Sequence, residues 1–187
     1  MRIVAGAHKG RPLSAPAGRT TRPTSDRARE AIFNKLAHAP WGEGVADKRV
    51  IDLFAGSGAL GLEAMSRGAA FCLFVETDAA ARGAIRENVE ALGLYGNTRI
   101  HRRDATALGV KPAGVGAPFD LVFLDPPYGK GLGEKALANL LAGGWVAPDA
   151  LAVFEVGEKE DPQVDGWARL DEGQYGAARV VFLKPEG

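Results

Sequence analysis

Val50-Ile51-Asp52-Leu53-Phe54-Ala55-Gly56-Ser57-Gly58-Ala59-Leu60-Gly61 is a short apolar run that breaks into closely spaced glycines and then resumes apolar. The spacing predicts a buried strand over 50–54, a tight turn, and a helix over 60–66. Glycines at such a turn let the backbone bend sharply and approach a ligand closely. In open α/β sheets, ligands bind beyond the carboxyl ends of the strands, so this turn is the first candidate site.

Outward from the turn the same alternation repeats. Strands are predicted over 71–75, 98–101, 120–124 and 151–155, and helices over 79–92 and 134–141. Residues 168–171 and 179–183 read as a closing antiparallel pair. Near-continuous apolar strands separated by helices imply a mostly parallel sheet covered on both faces. Before the turn, residues 2–5 and 11–15 flank Lys9-Gly10 as a small hairpin. Thr24, Ser25 or Asp26 can then cap a helix carrying Ala28, Ala31, Ile32 and Leu36 at helical spacing. The expected architecture is a Rossmann-like α/β domain over 24–187. A basic extension over 1–23 precedes it.

The chain has 187 residues and a formal net charge of zero, which conceals an asymmetry. Residues 1–35 hold eight basic side chains against two acidic ones, or +6, so the remainder sums to −6. A basic arm suggests an anionic partner, nucleic acid first, although a solvated charged face gives the same count. Arg2, Lys9, Arg11, Arg19 and Arg22 are the candidate phosphate contacts, while Arg27 and Arg29 can instead pair with Asp26 or Glu30 on their helix. Cys72 is the sole cysteine, so a disulfide framework and a cysteine-rich zinc site are excluded. His8, His38 and His101 lack metal-ligand spacing, and no metal is expected. No apolar stretch nears the roughly 18 residues of a membrane span. A cytoplasmic monomer is the expectation.

The turn is ambiguous by itself, because Gly56-x-Gly58-x-x-Gly61 also fits a dinucleotide fingerprint. Glu76, 20 positions after Gly56, ends the next strand and can accept hydrogen bonds from ribose hydroxyls. Two features favour S-adenosylmethionine over a dinucleotide. Asp52 stands inside the strand end just ahead of the glycines. Asp104 follows the third strand, where a carboxylate can receive an adenine amino group. The candidate cofactor residues are therefore Asp52, Phe54, Ala55, Gly56, Ser57 and Gly58 at the turn. Glu76 with Thr77, Asp104 with Ala105, and Asp125 complete the set.

Asp125-Pro126-Pro127-Tyr128 ends the strand predicted over 120–124 and is the most specific signal in the chain. An exocyclic amine conjugated to a ring is a poor nucleophile because its lone pair is delocalised. Two acceptors that hold its hydrogens, the Asp125 carboxylate and the Pro126 carbonyl, steer the lone pair toward a methyl carbon. Pro126 and Pro127 stiffen the loop and donate no hydrogen bond. Tyr128 offers a face on which a base can stack once it has left its own stack.

Together these segments resemble the class I methyltransferases that modify amino nitrogens. More narrowly, the chain resembles the RsmD family of bacterial 16S ribosomal RNA guanine-N2 methyltransferases. The resemblance spans nearly the whole chain. It rests on Arg2 to Gly6 with Lys9 to Leu13, on Arg22 to Glu30 with Phe33-Asn34, on Asp52 to Leu62, on Asp125 to Tyr128, and on Tyr175-Gly176. Gly173-Gln174, just ahead of that last pair, stand where a basic residue is expected. The resemblance implies a seven-stranded sheet with an antiparallel carboxyl-terminal hairpin. It also implies S-adenosylmethionine as cofactor and the 16S RNA of the small ribosomal subunit, naked or in an assembly intermediate, as partner. The first two stretches carry the narrow assignment, because Asp-Pro-Pro-Tyr also serves adenine-N6 and protein-glutamine methyltransferases. A nicotinamide-dependent oxidoreductase would leave Asp125 to Tyr128 unexplained. A non-catalytic RNA-binding module would not need the glycine turn.

Overall fold

Alternation of apolar side chains along the central strands builds a core on each face of one sheet. The computed structural model describes residues 1–16 and 24–187. Its strands are β1 (Arg49–Leu53), β2 (Phe71–Val75), β3 (Thr98–His101), β4 (Phe119–Leu124), β5 (Val146–Val156), β6 (Trp167–Tyr175) and β7 (Ala178–Pro185). Its helices are α1 (Asp26–His38), α2 (Ala59–Ser66), α3 (Ala79–Ala91) and α4 (Leu132–Ala142). The strands lie in the order β3-β2-β1-β4-β5-β7-β6. The first five are parallel, β7 runs antiparallel to β5, and β6 antiparallel to β7.

Successive strand residues point to opposite faces. Val50, Cys72, Phe74, Leu121, Phe123 and Val153 therefore pack with Ile32, Phe33, Leu62, Ile85 and Val89 under α1, α2 and α3. Ile51, Leu53, Leu73, Val122, Leu124 and Phe154 pack with Ala136, Leu137, Leu140 and Trp145 on the α4 side. Each fully buried Val, Leu, Ile or Phe contributes about 1.5–3 kcal/mol relative to exposure, so both helix layers are held firmly to the sheet. Cys72 is fully buried. Among the described residues, no helix is long and apolar enough to cross a membrane.

Three elements differ from expectation, each for a local reason. β5 begins at Val146 rather than 151, although Pro148 and Asp149 lie inside it. The register steps from Phe119↔Val146 to Leu121↔Leu151, so a bulge absorbs the residues that do not pair regularly. β6 runs on to Tyr175, held by regular pairing to β7 although its outward residues are polar. The amino-terminal hairpin carries a single β-bridge, Arg2↔Pro12, with Ile3 donating to the Arg11 carbonyl, Gly10 to Ile3 and Leu13 to Met1 across it. Four other N–H groups turn to α2. Val4 and Ala5 donate to Glu63, His8 donates to the Ser66 hydroxyl, and Ala7 donates to the Ser66 carbonyl.

That attachment rests on a buried charge network. Arg29 and Glu63 are both fully buried and paired at 3.2 Å. Arg29 also reaches Asp26 at 2.8 Å and donates to the Arg2 carbonyl, while Arg67 reaches Glu63 at 2.9 Å. Arg29 thus takes the pairing role on its helix and tethers the amino-terminal strand. Ile3 and Leu13 complete the attachment by entering the core beneath α1 and α2.

Candidate active site

The sheet order reverses between β1 and β4: β2 and β3 lie to one side, β5 to the other. The crevice at the carboxyl ends of these two strands is the topological switch point, where open α/β sheets bind ligands. Leu53 of β1 pairs with Leu124 of β4 as the last register match. The glycine turn and the Asp125 loop therefore leave the sheet at the same level, on neighbouring strands.

The turn is built for close approach. Phe54 takes φ +56°, a left-handed conformation uncommon for an aromatic residue and a form of strain that concentrates at functional sites. Gly56 takes φ +58°, and a Cβ there would meet nothing within 4 Å, so the space above it is open to a ligand. Gly61 has a different reason to lack a side chain. A Cβ would come within 2.6 Å of Phe74 and 2.7 Å of Cys72, so helix α2 sits directly on β2 only because Gly61 is bare. Gly58 is the N-cap of α2 and offers no side-chain cap to the first turn of the helix.

Carboxylates organise this turn from below and from the side. Asp52 is buried and accepts from the Gly61 N–H at 3.0 Å. Burial pushes its carboxyl up to about 8; the Gly61 N–H opposes the shift and the charge of Glu76 adds to it. Glu76 accepts from the Gly56 N–H at 2.8 Å with one oxygen and from the Asp78 N–H at 2.9 Å with the other. It therefore fixes the turn while its remaining lone pairs stay available. Asp104, followed by buried Ala105, is exposed and accepts from the Thr106 N–H and hydroxyl, bonds that hold its carboxyl below the usual range. Ser57 accepts from Asn88 of α3 through its carbonyl. Asn88 also makes a reciprocal pair of bonds with Ser14, tying the amino-terminal segment to the cofactor turn.

On β4, Asp125 is partly buried, Pro126 is buried, and Pro127 and Tyr128 are exposed. Burial raises the Asp125 carboxyl well above its ordinary value; the neighbouring Glu155 adds charge and a hydrogen bond, and Asp52 adds further charge. Tyr128 is 52% exposed yet anchored at its tip, its hydroxyl donating to Glu155 at 3.3 Å. Its hydroxyl is pushed up to about 12, by burial first and then by the charges of Glu155 and Asp125. The Gly129 N–H donates to Glu160 from the loop after β5, which pins the far end of the motif.

Sequence reasoning missed Glu155. It follows Phe154, which pairs with Leu124, so Glu155 and Asp125 are side by side at the ends of adjacent strands. The available signal was an acid closing the apolar run Leu151-Ala152-Val153-Phe154. Thr24 donates to the same carboxylate at 3.0 Å, and Ser25 rather than Thr24 or Asp26 caps α1. Asp52, Asp125 and Glu155 lie outside every ion pair found among the described residues. A crevice of unpaired acids beside an open glycine turn suits a cationic ligand that carries a nucleoside, so the residues present fit S-adenosylmethionine. Of the basic candidates, Arg2, Lys9 and Arg11 are exposed on the amino-terminal segment, with Arg11 donating to the Ala91 carbonyl at the end of α3. Arg19 and Arg22 lie outside the described residues.

The model of the family described as "Conserved hypothetical protein 95" matches residues 1–184. The ribosomal RNA small subunit methyltransferase D of Escherichia coli K12 is 40% identical over 155 residues, 83% of this chain and 74% of the relative. This chain belongs to the RsmD family. The Haemophilus influenzae protein of the same name is 34% identical over 94% of this chain and 89% of its own length. The solved structure of a putative methyltransferase, yhhF from Escherichia coli, superposes with a TM-score of 0.83 at 38% identity and covers 100% of this chain and 98% of its own. The RsmD-family fold seen here is that of the class I S-adenosylmethionine-dependent methyltransferases.

Proposed function

We propose that this chain transfers the methyl group of S-adenosylmethionine to the exocyclic N2 of one guanine in small-subunit ribosomal RNA. The observation that carries the proposal is the meeting of two loops. The stiff Asp125-Pro126-Pro127-Tyr128 loop and the Gly56–Gly58 turn leave adjacent strands at matching register. Ribosomal RNA as target is supported by the names of the relatives above. Guanine N2 is supported by the likeness of residues 2–13 and 22–34 to the family stretches described at the outset.

When bound, S-adenosylmethionine supplies a methyl group made electrophilic by its sulfonium sulfur. The backbone of Ala55 to Gly58 and the carboxylate of Glu76, with Thr77 beside it, would hold the methionyl and ribose parts. Asp104 and Ala105 would meet the adenine. Asp125 and the Pro126 carbonyl would accept the two hydrogens of the guanine amine, and Tyr128 would stack on the splayed-out base. The chain's contribution is chiefly positioning, since well-oriented reactants can gain on the order of 7–11 kcal/mol. The amine loses one proton as the N–C bond forms. Arg2, Lys9 and Arg11, with Arg19 and Arg22, would grip phosphates as a basic arm.

Radiolabelled methyl transfer tests the proposal. Small-subunit RNA lacking the modification, and particles containing it, are incubated with the protein and digested to nucleosides. Label in N2-methylguanosine is the expected result. Label in N6-methyladenosine, or in protein glutamine, would overturn the guanine assignment.

A further inference from the structure

The least explained feature of the crevice is Glu155. It is 8% exposed, it stands next to Asp125, and no cation pairs with it among the described residues. An acid buried in this way is costly unless its charge meets compensating donors. Two donors are present, the hydroxyls of Thr24 and Tyr128 at 3.0 and 3.3 Å. Thr24 donates to one carboxylate oxygen and Tyr128 to the other. Neither neutral hydroxyl balances the second acid that Glu155 brings beside Asp125.

Two carboxyl groups in contact have surplus acceptors and repel one another. Burial, and then the charge of Glu155 and a hydrogen bond with it, raise the Asp125 carboxyl well above its ordinary value. A ligand edge with two adjacent N–H donors relieves the repulsion. Guanine carries such an edge, N1–H beside the N2 amine. Adenine does not, because its N1 is an acceptor next to its N6 amine. Each carboxylate oxygen of Glu155 accepts one hydroxyl and retains a second lone pair. Alternation along β5 places Glu155 on the same face of the sheet as Asp125 and Asp52, whose strand neighbours Leu124, Phe154 and Leu53 all face α4.

We infer that Glu155 is a specificity-determining residue of the target-base pocket, accepting the guanine N1–H while Asp125 holds the N2 amine. This rests on the guanine-N2 function proposed above. When the base docks, its two N–H donors engage the surplus acceptors of the two carboxyl groups. The same residue links three parts of the pocket: the Thr24 end of the amino-terminal segment, the Tyr128 ring and Asp125. Base selection and base stacking are thereby built on one side chain.

The test uses the full chain and an RNA fragment spanning the mapped methylation site. One version carries guanine and the other 2-aminopurine, which keeps the 2-amino group but presents an acceptor at N1. The ratio of kcat/KM for guanine to that for 2-aminopurine is measured for the wild type, Glu155→Gln and Glu155→Ala. Gln keeps one acceptor oxygen, places an amide NH2 where the other stood, and can offer either a donor or an acceptor to N1. The guanine preference should therefore fall by about ten- to a hundredfold in Glu155→Gln, the scale of one hydrogen bond to a charged group. It should fall similarly in Glu155→Ala, whose absolute rates are lower on both RNAs. Calorimetry with S-adenosylmethionine and a thermal melt establish that the variants fold. Equal rate losses on both RNAs, leaving the ratio unchanged, would overturn the specificity role. Failure of the guanine-N2 reaction itself is read separately, as the absence of N2-methylguanosine from wild-type product.

Discussion

At the scale of single residues, the crevice is defined by acids held away from their ordinary titration. Asp52 titrates near 4 in an unfolded chain and near 8 in the folded one. The folded state therefore binds that proton more tightly. The stabilisation is complete below about pH 4 and is lost as pH rises toward 8. The melting temperature of the cofactor-free protein should fall between about pH 5 and pH 8. It should fall less in Asp52→Asn, whose amide oxygen still accepts from Gly61; identical slopes in the two proteins would contradict this. Tyr128 makes a second prediction. Its exposed ring is the stacking surface, worth roughly 1–3 kcal/mol per base. Tyr128→Ala should therefore lose about five- to 150-fold in kcat/KM for RNA, whereas Tyr128→Phe keeps the ring and loses only the bond to Glu155. Comparable losses in both variants would show that the hydroxyl matters more than the ring.

At the scale of elements, the question is what fixes the amino-terminal segment to the catalytic sheet. Glu63 of α2 accepts from Val4, Ala5, Arg29 and Arg67. Glu63→Ala leaves Arg29 buried beside only the partly exposed Asp26, and breaking such a pair typically costs about 3–5 kcal/mol. A lowered melting temperature with faster proteolysis within residues 1–16 is the expected outcome; an unchanged cleavage rate would mean that Ile3 and Leu13 suffice. Most elements were legible in the sequence because their signals are local. The apolar run at 71–75, the glycines after β1 and the prolines after β4 each announce a boundary within a few residues. The amino-terminal pairing was less legible, since the N–H groups of Val4, Ala5 and His8 are satisfied by side chains about 60 positions away on α2. β5 was foreshortened because Pro148 and Asp149 signal a break that a bulge accommodates. Glu155 was hidden for a related reason: its partners, Thr24, Asp125 and Tyr128, come from three distant stretches. Only the parallel register of β4 and β5 brings it beside Asp125.

At the scale of the molecule, zero net charge separates into a basic amino-terminal end and an acidic remainder that includes the crevice. The two ends suit different ligands: phosphates for Arg2, Lys9 and Arg11, and a sulfonium for the acids around Asp125. In a Lys9→Ala/Arg11→Ala variant, the slope of log binding constant against log salt should flatten by roughly 0.7–0.9 for each phosphate contact removed. Cofactor affinity should stay the same; an unchanged slope would take the arm out of the RNA interface. Methyl transfer by this chain requires Asp125 to face the methyl donor across the switch point. Its most direct measurement compares Asp125→Ala with the wild type in two assays, calorimetric binding of S-adenosylmethionine and single-turnover methyl transfer to small-subunit RNA. Intact cofactor binding with nearly all methyl transfer lost is the predicted result. Near-normal transfer by the variant would contradict it.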